Sequence, residues 1–124
     1  MKIYLAGPMR GKPNFNFPAF DFAAARLREQ GYKVFSPADK DREEIGAEAF
    51  VNATGDEDEL ARKSAYTIND ALAADTLYIC REANAVALLP GWENSTGAQA
   101  ERALAVALGL TIIILGKEYV NATN

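Results

Sequence analysis

The chain has 124 residues, 49% of them apolar and 24% charged, the mixture expected of one globular domain around one core. Thirteen basic residues against seventeen acidic leave a net charge of −4, which argues against a protein that lives on nucleic-acid phosphates. There is no histidine and one cysteine, Cys80, so Ser-His-Asp and Cys-His catalysis, histidine-containing zinc sites and disulfides within the chain are all excluded.

Ile3-Tyr4-Leu5-Ala6 reads as a short buried strand ended by Gly7-Pro8. Its apolar run is too short for a signal peptide, and no run in the chain reaches the roughly 18–20 residues of a membrane span. A cytoplasmic protein with no membrane partner is therefore expected. Met9 to Phe17 reads as a loop. Pro18 can open a helix that runs to about Gln30, with Phe20, Ala23, Ala24 and Leu27 on one face and Gly31 as its C-terminal cap. Tyr32-Lys33-Val34-Phe35 is a second strand, stopped by Ser36-Pro37.

Residues 39–63 hold nine acidic residues against four basic ones. A solvated loop with a short helix and a lid over a site both fit that composition. From about Glu57 to Arg81 the pattern is helical, with Ile68, Leu72 and Ile79 on one stripe. Cys80 reads as a small buried residue. Ala85-Val86-Ala87-Leu88-Leu89 is continuously apolar, as in a parallel strand covered on both faces. Ser95 is a good N-cap for a helix over 96–108 closed by Gly109, and residues 110–115 form a fourth strand. Residues 116–124 read as a polar tail with little to pack.

This alternation predicts a single Rossmann-like α/β domain over 1–124, a doubly wound parallel sheet of four or five strands in an order near 2-1-3-4. In such a sheet the loops after strands one and three flank the switch point where ligands bind.

Two carboxylates break the apolar stripes. Glu101 shares a helix face with Leu104, Ala105 and Leu108, and Asp75 falls between Leu72 and Ile79. Burying a carboxylate is costly unless it is paired or used. Each fits either a local pairing (Arg102 for Glu101) or a cleft, and paired carboxylates are the equipment of glycosidic-bond chemistry. Tyr4 fits core packing as well as a site. Arg10 beside Gly11 fits an exposed turn or a grip on one phosphate, although the loop has neither GxGxxG nor a P-loop pattern. Trp92 fits a stacking platform or a cover on the core edge.

Together these residues resemble the nucleoside 2-deoxyribosyltransferase-like superfamily, which includes deoxynucleoside 5′-monophosphate N-glycosidases. Ile3-Tyr4-Leu5-Ala6-Gly7 resembles its first strand, Met9-Arg10-Gly11 its phosphate-holding turn, and Asp75 followed by Asn84 its Asp…Ala-Asp arrangement. Ser95-x-Gly97-x-x-x-Glu101 resembles the segment that carries its nucleophile. The resemblance implies a catalytic set of Glu101, Asp75 and Tyr4. It implies substrate contacts from Gly7, Arg10, Gly11, Trp92, Ser95 and Gly97, with no metal and no cofactor. The implied partner is a small nucleoside or nucleotide rather than a nucleic-acid polymer, and the implied assembly is a homo-oligomer. A nucleotide-binding module without chemistry, and a structural subunit assembled through residues 39–63, are the other expectations.

Overall fold

The computed structural model describes residues 1–50, 53–56, 59 and 67–120. In chain order these form β1 (Lys2–Ala6), α1 (Phe17–Glu29), β2 (Lys33–Phe35), α2 (Pro37–Ile45), α3 (Ile68–Arg81), β3 (Ala85–Leu88), α4 (Thr96–Ala107) and β4 (Thr111–Ile114), with short 3-10 turns between them. The four strands are parallel in the order β2-β1-β3-β4. This is the expected doubly wound topology, and its order reverses between β1 and β3. Among the described residues no helix is long and apolar enough to cross a membrane.

Strand alternation divides the core into two layers. Ile3, Leu5, Ala85 and Ala87 face α1, whose Phe20, Ala23, Ala24 and Leu27 fill that side with Phe15, Phe17 and Phe50. Tyr4, Ala6, Val86 and Leu88 face the other way, onto Ile79 of α3 and Ala98 and Ala105 of α4. Each large apolar side chain so buried contributes about 1.5–3 kcal/mol. These layers hold β1 and β3 rigid, and so fix the two loops that leave their carboxyl ends. The loops touch: a Cβ on Gly7 would stand 2.8 Å from Cβ of Leu89, so only glycine lets them close.

Three expectations need correction. The helical pattern before Arg81 does not run unbroken from Glu57, which lies outside the described residues. The helix described there starts at Ile68, because Thr67 is extended (φ −111°) and closes a reciprocal capping box with Asp70. Residues 116–120 are not an idle tail: Tyr119 and Val120 pack on the first core layer, and the Arg26 guanidinium lies 5.7 Å from the Tyr119 ring. Cys80 is exposed, since it sits one residue past Ile79 and off the buried stripe.

The acidic stretch is the larger surprise. Its first part is α2, and this helix buries Pro37, Ala38 and Asp41. Further on, Gly11 N–H donates to the Gly55 carbonyl (2.9 Å) and Asn14 N–H to the Ala53 carbonyl (2.7 Å), tying residues 53–55 to the loop after β1. The described parts of this stretch are therefore built into the wall around the switch point.

Candidate active site

An open cleft of ≈ 770 Å³, its mouth included, lies at the carboxyl ends of β1 and β3. Tyr4, Gly7, Arg10, Asp75, Ser95, Gly97 and Glu101 all line it. The topology thus gathers seven of the nine expected site residues from three separate elements and two loops.

Glu101 reaches the cleft because α4 starts at Ser95, whose Oγ accepts from Ala98 N–H (3.2 Å). That start phases the helix so that Ala98, Glu101 and Ala105 face the sheet. Glu101 is 6% exposed and its Oε2 accepts from the Tyr4 hydroxyl at 2.6 Å. Tyr4 is fully buried, with Phe35 stacked at 5.6 Å, so its ring belongs to the core and its hydroxyl to the site. Arg102 does not pair with Glu101; its guanidinium lies 5.4 Å over the Trp92 ring.

Asp75 arrives from α3, where the period of the helix sets it between Leu72 and the buried Ile79. It too is 6% exposed. Its contact comes from α2 rather than from its own helix: Lys40 Nζ stands 3.4 Å from Asp75 Oδ1 and 3.5 Å from Asp41 Oδ1.

Burial dominates the electrostatics. It pushes the Glu101 carboxyl up to about 8; the nearby Asp75 charge adds to that, while the Tyr4 hydrogen bond and Lys40 oppose it. Burial also raises Asp75, against the pull of Lys40 and Tyr4. The Tyr4 phenol is raised well above its usual range, first by burial and then by the charges of Glu101 and Asp75. Near neutral pH the site therefore offers a neutral phenol bonded to a carboxyl that still holds most of its proton. A side chain so placed can exchange a proton with a bound molecule, or attack it once ionised.

At the mouth, Arg10 Nη2 donates to Thr96 Oγ1 (3.0 Å), which hangs its guanidinium across the first turn of α4. The rest of the lining is largely apolar and includes Met9, Phe15, Phe20, Phe50 and Leu72. Phe15 gets there through three successive left-handed residues, Asn14, Phe15 and Asn16 (φ 53°, 53° and 62°). Such a backbone costs about 1–2 kcal/mol per residue. The bonds from Asn14 N–H to Ala53 and from Asn16 Nδ2 to the Pro8 carbonyl (2.9 Å) hold it.

Two expected residues stand apart. Trp92 does not line the cleft but packs on the second core layer, so it covers the core edge. Gly11 is exposed outside the cleft, its N–H given to Gly55. Conversely, the reading of the sequence did not single out Asp41 or its neighbour Lys40. Asp41 does follow Pro37 and Ala38 at helical spacing, the same carboxylate-on-a-buried-stripe signal that marks Glu101. Among the described residues no three histidine, cysteine or acidic side chains gather as metal ligands.

No curated protein and no solved structure matches the chain. One family model does, over residues 1–114, which is most of the chain: the protein belongs to the family described as a domain of unknown function, DUF4406.

Proposed function

We propose that the cleft cleaves or exchanges the N-glycosidic bond of a 2′-deoxynucleoside or its 5′-monophosphate. The observation that carries this reading is the Tyr4–Glu101 hydrogen bond at 2.6 Å, buried beside Asp75 in one cleft. It joins the motifs through which the chain resembles the nucleoside 2-deoxyribosyltransferase-like superfamily. Ionised Glu101 attacks the anomeric carbon, the bond to the base breaks, and a glycosyl ester forms on the carboxylate. Tyr4 orients Glu101. Asp75 bonds the sugar or gives a proton to the leaving base. Water or a second base then takes the sugar and frees the carboxylate. Arg10, with Ser95 and Gly97 beside it, holds a 5′-phosphate at the start of α4.

The test is free base measured by chromatography after incubation with a panel of deoxynucleosides and their monophosphates. The reading expects release by the wild type and none by Glu101→Ala. Equal release by that variant removes Glu101 from its role, and no release from any substrate removes the reaction.

A second reading is a nucleotide-binding module without turnover. It is favoured by the raised Glu101 carboxyl, because a protonated acid is a poor nucleophile. It expects ligand-induced thermal stabilisation that survives Glu101→Gln, with no base released. A homo-oligomer belongs to the proposal as well. Leu77, Val106, Leu108 and Ile114 are each at least 45% exposed, apolar surface that a second copy would cover. Light scattering that finds only monomer overturns it.

A further inference from the structure

The acidic stretch that α2 opens fitted either a solvated surface or a lid; in the structure α2 places an ammonium against two cleft carboxyls. The Lys40 side chain is only 12% exposed, rare for lysine and tolerated where a counter-charge is at hand. Its Nζ stands between Asp75 on α3 and Asp41 on its own helix, at 3.4 and 3.5 Å. Both contacts are at ion-pair distance. We propose that Lys40 is a positioning residue of the cleft, whose ammonium, set between Asp75 and Asp41, offsets their charges and so favours the carboxylate form of the neighbouring Glu101. This deepens the glycosidic-bond reading above and rests on it for its catalytic meaning.

The cleft gathers charge in a confined volume. Three carboxyl groups and a phenol share the cleft wall: Asp41 from α2, Asp75 from α3, Glu101 from α4 and Tyr4 from β1. Ionising all three carboxyls without a cation would gather three negative charges away from water, which interior polarity does not support. One buried ammonium relieves this for Asp75 directly and for Glu101 at longer range; its charge acts on both groups in the lowering direction. Several other described charges near α2 have partners elsewhere. Arg42 pairs with Asp21 of α1 and with Asp39, and Arg28 of α1 also pairs with Asp39. Glu48, on the turn that follows α2, is exposed. Arg10 reaches Thr96 at the mouth. Among the described residues, Lys40 is thus the cation in contact with Asp75.

The experiment compares wild type, Lys40→Met and Lys40→Arg by two readouts. The first is the pH profile of kcat/KM for base release. The second, independent of turnover, is the ionisation midpoint of the Glu101 side-chain carboxyl, followed by carbon NMR and assigned with Glu101→Gln. Lys40→Met is expected to raise the midpoint, and the acidic limb of the profile with it, by about one pH unit, a tenfold effect. Lys40→Arg keeps the charge and is expected to restore both. A merely structural lysine would lower the rate at every pH and leave the limb in place, and that outcome overturns the proposal. A midpoint that does not move in folded Lys40→Met overturns it as well. Should Lys40→Met fail to fold, Lys40→Gln is read in the same way. Should the wild type release no base while the midpoint moves as stated, the charge role of Lys40 is upheld and the glycosidic-bond reading alone fails.

Discussion

The hydroxyl of Tyr4 lies 2.6 Å from Oε2 of Glu101, a residue 97 positions further along the chain. The bond spans the interior, from the middle of β1 to the second turn of α4. It is the shortest statement of what the doubly wound sheet does here: it carries a core aromatic and a helix carboxyl to the same point at the switch between β1 and β3.

Removing that hydroxyl should be felt twice. Tyr4→Phe keeps the ring against Phe35 but leaves Glu101 buried without its donor. A loss of about 1–3 kcal/mol of stability is expected, measured by denaturant unfolding. Because the Tyr4 bond acts to lower the Glu101 ionisation, its loss should move the Glu101 midpoint above about 8. A variant with unchanged stability and an unchanged midpoint would mean that the bond carries no weight.

The raised carboxyls also predict how stability depends on pH. Glu101 ordinarily ionises near 4.5 and in the folded chain near 8. Between those values the folded state holds a proton that the unfolded state has released, so stability falls as pH rises. The contribution is complete below about 4.5 and is lost as pH passes through about 8, with a slope of up to about 1.4 kcal/mol per pH unit. Asp75 is shifted in the same direction and adds to the same trend. Thermal melts from pH 5 to 9 should show a declining Tm, and Glu101→Gln, neutral at every pH, should flatten the decline. A Tm that rises across this range would contradict the assignment.

Gly7 offers a test of how the switch point is closed. Gly7→Ala drives a methyl group to 2.8 Å from Cβ and 2.9 Å from Cδ1 of Leu89. Leu89 is fully buried and cannot swing away, so the loops after β1 and β3 must separate. The expected cost is about 1–3 kcal/mol in unfolding free energy. Base release should fall with it, since Tyr4 and the loop carrying Ser95 are positioned by the two strands. Full activity and stability in this variant would show that the loops do not need their close approach.

How much of this was legible beforehand follows from residue chemistry. The strand order could be read because residues 85–89 are apolar without interruption, which marks a strand buried on both faces. Glu101 and Asp75 stood out because each is a lone carboxylate on an otherwise apolar stripe. Asp41 carries the same signal, but Asp39, Lys40, Arg42, Glu43 and Glu44 surround it, and a helix so charged reads as solvated whichever face it buries. Trp92 shows the opposite failure. An aromatic in a loop beside a site can turn toward ligand or toward core, and its direction is set by tertiary partners, here Arg102 and the second core layer. The left-handed run from Asn14 to Asn16 was invisible for a related reason. It is held by Ala53 and Pro8, one of them distant in the chain, and local propensity does not report such support.

Under the proposed glycosidic-bond function, Arg10 is the residue that would separate a nucleotide from a nucleoside. Its guanidinium reaches Thr96 at the start of α4, where the helix dipole also favours an anion. If a 5′-phosphate is bound there, Arg10→Ala should raise KM for monophosphates about tenfold or more, the loss of one charge-assisted contact. It should leave KM for the unphosphorylated nucleosides nearly unchanged, because the sugar and base contact other residues. The measurement is the ratio of kcat/KM for each monophosphate to that for its nucleoside, compared between variant and wild type. A ratio that stays constant would place the phosphate elsewhere or leave the free nucleoside as the substrate, since an arginine that served only to brace Thr96 would weaken both compounds alike.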